Sequence, residues 1–421
     1  TTGNNNTAIG YESLKANTTG NNNVAIGHAA LTLNTVGINN TAVGFCALKS
    51  NTTGSNSVAL GLNALKFNTT GHSNVAIGVS ALIDNTEGNY NTALGLESLF
   101  KNTTGDGNVA FGYQSLHSSV TANYNVAIGF RAMCATTTGK ENVAVGHNTL
   151  FTNTTGARNA AIGYQALCSN VTGDENVALG YETMKSNTSG QRNVAVGMNA
   201  LRNNTIGQYN VSVGYDSMYN STTGECNTAV GNAALFSNTT GIRNTAIGYE
   251  SLKANTTGHS NTAVGFKALE DNTSGQSNTA VGFCAMCNNT TGISNTAVGV
   301  RAGMLNLYGT KNSSLGESAL QNNTVGGHNV AMGYQALVSS AGGAWNTAVG
   351  TCALYTTLNY YNTAVGANAG KLQGTQSAKY NIYLGYNAGC DLTTGAGNVI
   401  IGTVQPESNT GNRQLKIAGY D

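Results

Sequence analysis

This chain has one proline and one tryptophan in 421 residues, and charged residues make up only 9% of it. The lack of proline, with 55 glycines that do not recur at every third position, excludes a collagen-like triple helix. Nineteen Lys and Arg against 18 Asp and Glu leave a formal net charge of +1. There is no basic excess to hold a polyphosphate and no cationic face for an anionic bilayer, so neither nucleic acid nor a membrane is expected as a partner. No apolar run reaches transmembrane length, and Thr1 stands directly in repeated sequence without a signal-peptide pattern, so direct membrane insertion is not expected either.

What is present is a period. A glycine recurs every 17 residues through Gly10, Gly27, Gly44, Gly61 and Gly78 and onward to Gly316, Gly333 and Gly350. Around this phase glycine the unit reads approximately N-T/V-A-I/V-G-Y-x-A-L-x-x-N-T-T-G-x-x. A branched or large apolar residue precedes it (Ile9, Ile26, Val43), alanine stands two before it (Ala8, Ala25, Ala42), and leucine or methionine stands four after it (Leu14, Leu31, Leu48). Seventeen residues hold too few apolar positions for an independent domain, so stacked copies must share one core. The N-T/V-A-I/V stretch supplies a short strand, the leucine seals another side, and the glycines and Asn-Thr-Thr-Gly segments supply corners. The intervals between turn residues are too short for two good helices.

The expected fold is therefore all-β: a parallel β-solenoid with 17-residue coils. Its regular shaft spans 1–350. Irregular terminal coils span 351–402, where the glycine interval first shortens and then lengthens around Leu372–Tyr380, and a cap or transition segment spans 403–421. At about 4.8 Å per coil the phase positions imply a shaft about 100 Å long. On each strand the Thr/Val and Ile/Val rows share one face and the Ala row and phase glycine share the other. Both faces are uncharged. The Ala/Gly face is expected to pack closely between chains, with three parallel coils gathered about one axis.

Two asparagine rows are nearly as regular, one starting Asn23, Asn40 and the other Asn17, Asn34, Asn51. Ladders of such side chains, bonded to one another and to turn backbone, explain both. A second glycine row (Gly3, Gly20, Gly37) reads as a corner, either of positive φ or of close chain approach. It lacks the lysine and the strand–helix setting of a phosphate loop. The eight cysteines read as free structural thiols, including Cys284-Ala-Met-Cys287, which has a redox spacing but sits inside an ordinary repeat. The histidines and acidic residues are dispersed over many coils, so no catalytic pair, metal site or cofactor site is expected.

The candidate contact residues are the aromatics that follow the phase glycine: Tyr11, Phe45, Tyr113, Phe130, Tyr164, Tyr181, Tyr215, Tyr249, Phe266, Phe283 and Tyr334. They line either a chain interface or a sugar-binding groove, and their spread along the whole repeat favours packing. Adjacent threonines such as Thr18-Thr19 and Thr52-Thr53 form rows that raise ice binding as a remote third use.

The motifs Asn74-Val-Ala-Ile-Gly78 and Asn193-Val-Ala-Val-Gly197 resemble the head repeats of YadA-like trimeric autotransporter adhesins. They also resemble repetitive tail-fibre and surface-fibre proteins that precede an endosialidase-type intramolecular chaperone. The resemblance implies a homotrimeric, left-handed β-roll used in extracellular attachment. The uniform 17-residue unit is longer than the usual head repeat, and Asn398–Asp421 resembles sequence that precedes the self-cleaving chaperone. The expectation is a non-enzymatic extracellular fibre, structural or adhesive. Its partners would be its own copies and a cell-surface glycan or protein receptor. A bacterial surface appendage and a glycan-binding virus tail fibre both remain open.

Overall fold

The computed structural model describes residues 2–373 and 378–418. Every strand among them is three residues long, and none of the described residues is helical. They fall into two compact units, one ending at Tyr209 and one beginning at Asn210. The first contains β1 (Thr7–Ile9), β2 (Val24–Ile26), β3 (Thr41–Val43) and their successors to β12 (Val194–Val196). The second runs from β13 (Val211–Val213) to β25 (Leu415–Ile417).

Within each unit the strands pair in parallel with their sequence neighbours and in unshifted register. Val24 lies beside Thr41, Ala25 beside Ala42 and Ile26 beside Val43; in the second unit Thr245, Ala246 and Ile247 lie beside Thr262, Ala263 and Val264. Each unit is thus a parallel β-solenoid whose coil is the 17-residue repeat. The phase glycine is required on two counts. Gly27 has φ of 128°, and a Cβ there would fall 2.6 Å from the Gly44 carbonyl oxygen of the next coil. In the second glycine row only the close approach applies: Gly20 has no left-handed φ, but a Cβ would overlap the carbonyl oxygen of Gly37.

The interior of one coil is small. Asn23, Ala25, Ala30, Leu31 and Asn34 are all fully buried, and their equivalents recur from coil to coil. The leucine row does seal the coil, but by an unexpected backbone: Leu31, Leu48 and Leu65 sit in the left-handed region at φ of 49–54°. Burial of such a side chain contributes about 1.5–3 kcal/mol, enough to hold a conformation that costs roughly 1–2 kcal/mol.

The two strand faces are reversed relative to the sequence expectation. The alanine row does not face another chain; Ala25, Ala42, Ala59 and Ala76 are inside their own coil at 0% exposure. The Thr/Val and Ile/Val rows point out, and Ile9, Leu60, Leu94 and Ile162 are exposed. The reason is width. The strand packs across the coil against Leu and Ala from the opposite wall, and a β-branched side chain in the alanine position overfills that gap unless the wall gives up its leucine, as at Gly389 beside the buried Ile400.

Beyond Gly350 the coil continues. β21 (Thr347–Val349) pairs with β22 (Thr363–Val365), which pairs with β23 (Ile382–Leu384), and β24 (Val399–Ile401) pairs with β25. The shortened and lengthened repeats are absorbed in corners, because Thr347, Thr363 and Ile382 stay in line. Part of the Leu372–Tyr380 stretch, 374–377, lies outside the described residues, as do 419–421 of the expected cap.

Candidate interaction surface

Asparagine ladders fix the corners that present the surface. Asn34 Nδ2 donates to Asn17 Oδ1 at 2.9 Å and to the Gly37 carbonyl at 3.0 Å. Asn51 repeats both bonds with Asn34 and Gly54. In the other row the Asn40 backbone N–H donates to Asn23 Oδ1, while Asn40 Nδ2 donates to the Gly54 carbonyl. These amides are buried, so each coil fixes the height and rotation of the next. The first threonine of each corner is also engaged, as Thr52 Oγ1 donates to the Thr69 carbonyl at 3.0 Å.

On this frame the aromatics that follow the phase glycine are all exposed, from Tyr113 at 38% to Tyr11 at 70%. The structure brings most of them together as parallel stacks. Tyr11 stacks through His28 onto Phe45, at 5.3 and 4.9 Å. Tyr113, Phe130, His147, Tyr164 and Tyr181 form a continuous stack with ring centres 5.0–5.3 Å apart. Tyr249, Phe266 and Phe283 form a third. Tyr215 and Tyr334 are exposed but stand outside these stacks. Where the row is aliphatic, Leu62, Val79 and Leu96 remain exposed as well. With the outward Ile/Val row two residues away across the glycine, each coil carries apolar side chains on its outer surface.

Charged groups are few, and several pair with one another. Glu182 accepts from Lys185 Nζ at 2.7 Å and pairs with Arg202 at 2.8 Å; Glu250 accepts from Lys253 at 2.6 Å and pairs with Lys267 at 3.2 Å. The hydrogen bonds from Lys185 and Lys253 are the main reason both carboxyls titrate below the ordinary glutamate range. Burial pushes the Cys287 thiol up to about 12, helped by the neighbouring Cys284 thiol. Among the described residues no three His, Cys, Asp or Glu side chains come together as a metal site.

Sequence reading missed a second ladder, formed by the residue immediately before each ladder asparagine. In the first unit it carries an ionic run: Glu175 is bridged by Arg158 and Arg192, each at 2.8 Å, and Arg192 reaches the Tyr209 hydroxyl. In the second unit it carries rings. His328 stacks on Trp345 at 3.9 Å, Trp345 lies 6.5 Å from Tyr361, and Tyr361 stacks on Tyr380 at 5.0 Å with parallel planes. The signal was available, since Trp345, Tyr361 and Tyr380 directly precede Asn346, Asn362 and Asn381. It was hidden because this position is chemically variable where the phase-glycine row is uniform.

The sequence matches no protein-family model and no curated protein.

Proposed function

We propose that this chain is an extracellular fibrous protein, structural or adhesive, that self-associates side by side as a homotrimer through its outward apolar rows. The observation that carries the reading is the exposed aromatic and Ile/Val surface, repeated on coil after coil. An aromatic side chain offers about 150–250 Å², so rings about two-fifths exposed leave roughly 80 Å² each. The four Tyr and Phe rings of the stack from Tyr113 to Tyr181 alone then present about 320 Å² of ring surface, and His147 and the flanking Ile128 and Ile162 add to it. A monomer's largest apolar patch is about 300–600 Å² in total, whereas here the pattern recurs in both units.

A second copy of the same face is the natural cover, because its rows repeat at the same coil height and meet without charge. Three copies rather than two follow from the resemblance of the Asn-Val-Ala-Ile-Gly motifs to trimeric adhesin heads. In this reading the chain has no catalytic role. It presents a receptor-binding surface on a bacterial appendage or a virus fibre. Sedimentation equilibrium tests the assembly. A stable trimer that dissociates when Ile128 and Ile162 are both changed to Lys is the expected result, and a stable monomer at micromolar concentration would sink it.

A further inference from the structure

We propose that the cleft over Gly397, between Tyr380 and Arg413, is a binding slot for one carboxylate-bearing sugar ring of the uronic-acid class. The second-unit ring ladder stops at Tyr380. One face of that ring lies on Tyr361, and Tyr380 as a whole is 56% exposed. The next residue in the row is Gly397 and the one after is Arg413. Where the missing rung would lie there is a cleft of about 480 Å³, lined by Tyr380, Ala396, Gly397, Asn412 and Arg413.

Backbone geometry does not account for the glycine. Gly397 has φ of 70°, but Tyr361, Tyr380 and Arg413 adopt the same left-handed conformation at 63°, 58° and 54° with full side chains. Nor does crowding: a Cβ on Gly397 would meet only Arg413 Cγ, at 3.5 Å, an ordinary contact. The comparable gap in the first unit is closed. At Gly107, in the same row, a Cβ would fall 2.7 Å from the Tyr124 ring, which has moved over the glycine. At Gly397 the equivalent neighbour, Arg413, comes no nearer than ordinary contact, and the gap is not filled.

The walls define the ligand. Neighbouring Tyr361 and Tyr380 lie 5.0 Å apart, so the empty rung is one stacking layer high, which suits a chair-form ring with its C–H face on Tyr380. Among the described residues the Arg413 guanidinium has no ion-pair or hydrogen-bond partner, while its backbone N–H is fixed to the Ala396 carbonyl at 2.8 Å. A planar, permanently charged fork of this kind matches a carboxylate. Lys379 Nζ stands 5.9 Å from the Tyr380 ring centre and adds to the positive field. Asn412 Oδ1 accepts from the Ala396 N–H at 2.8 Å, leaving its Nδ2 as a donor for a ring hydroxyl.

The slot gives the attachment reading a ligand class, and rests on that reading for its biological use, though not for binding itself. The test is calorimetric titration of the intact chain with tri-galacturonic acid, neutral tri-galactose and benzoate. The acidic trimer is expected to bind the unaltered protein best. Gly397→Tyr, which inserts the missing rung in a conformation Tyr380 already adopts, should weaken it at least tenfold at unchanged Tm. Arg413→Gln should reduce the acidic trimer to the level of the neutral one. No binding of the acidic trimer, equal binding of tri-galactose or benzoate, or binding undiminished in Gly397→Tyr would each overturn the assignment. Sedimentation of the same samples reports separately on the trimer.

Discussion

The Tyr383 ring fills the space that Gly389 leaves open: a Cβ on Gly389 would fall 2.5 Å from two ring carbons. Tyr383 stands in the alanine row and Gly389 in the leucine row, so a large-for-small exchange on the strand is matched by a small-for-large exchange on the facing wall. Gly370, one coil earlier, makes the same concession, with its Cβ position 2.7 Å from the ring. The buried phenol is met by the Gln373 amide, which donates to Tyr383 Oη from a position otherwise given to ladder asparagine.

This pairing predicts strong coupling. Gly389→Leu needs no new backbone, since Gly389 already has φ of 56° and the leucine row elsewhere has about the same, yet the side chain collides with Tyr383. It should destabilise by at least about 3 kcal/mol, and Tyr383→Ala should cost about 3–5 kcal/mol through the cavity it leaves. Tyr383→Ala combined with Gly370→Leu and Gly389→Leu rebuilds the ordinary coil and should recover most of the loss. Urea denaturation of the single and combined variants measures the cycle, and additive losses would contradict the packing account.

A second prediction concerns the inner asparagine ladder, which breaks where Ser119 and Thr136 replace asparagine. Asn102 Oδ1, Ser119 Oγ and Thr136 Oγ1 are buried there without hydrogen-bond partners. Ser119→Asn and Thr136→Asn should join Asn102 to Asn153 and satisfy the turn carbonyls when made together with Ala122→Gly, because a Cβ in this corner falls against the ladder amide oxygen, as it would at Gly105, where it would overlap Asn102 Oδ1. The expected gain is about 1–3 kcal/mol, read as a higher urea midpoint at unchanged m. Ser119→Ala should be nearly neutral, because the hydroxyl it removes has no partner.

The period made the register legible, since a fixed 17-residue interval places like residues side by side, as with Ala25 and Ala42. The Asn17 and Asn23 rows were legible for the same reason: buried amides in line can pair only with their own kind and the adjacent turns. The direction of the strand faces was not. Ala25 and Ile26 are both apolar and alternate, and only the width of the coil decides that the smaller one goes in. The left-handed backbone at Leu31 and Leu48 also left no trace, because leucine at φ near 50° has no compositional signature. The ring ladder ending at Tyr380 was obscured by variation that served no structural rule.

Acid should weaken the fold through Glu182 and Glu250. Their folded-state pKa values are lowered, chiefly by hydrogen bonds from Lys185 and Lys253. As pH falls, the unfolded chain therefore takes up these protons first. The stabilisation is complete above the ordinary glutamate value of about 4.3 and is lost as pH falls through the lower folded values. Tm should hold from about pH 7 to 5 and decline below about 4. Glu182→Gln and Glu250→Gln should each lower Tm near neutrality by about 1–3 °C and flatten the acid decline. An unchanged acid limb in both variants would remove these carboxylates from the explanation.

Thiol labelling separates structural cysteines from a working dithiol. Cys226 is exposed, whereas Cys46, Cys134 and Cys287 are buried. Alkylation requires the thiolate, and with its pKa pushed up to about 12 Cys287 holds only about one part in ten thousand of it at pH 8. Burial also raises the Cys168 thiol. Maleimide at pH 8 should therefore modify Cys226 first and Cys287 last, with the Cys287 rate rising about tenfold per pH unit as thiolate forms. Peptide mass spectrometry over a time course reads the order. A redox pair at Cys284 and Cys287 would give the opposite pattern, with rapid labelling after reduction and a recoverable Cys284–Cys287 disulfide after mild oxidation.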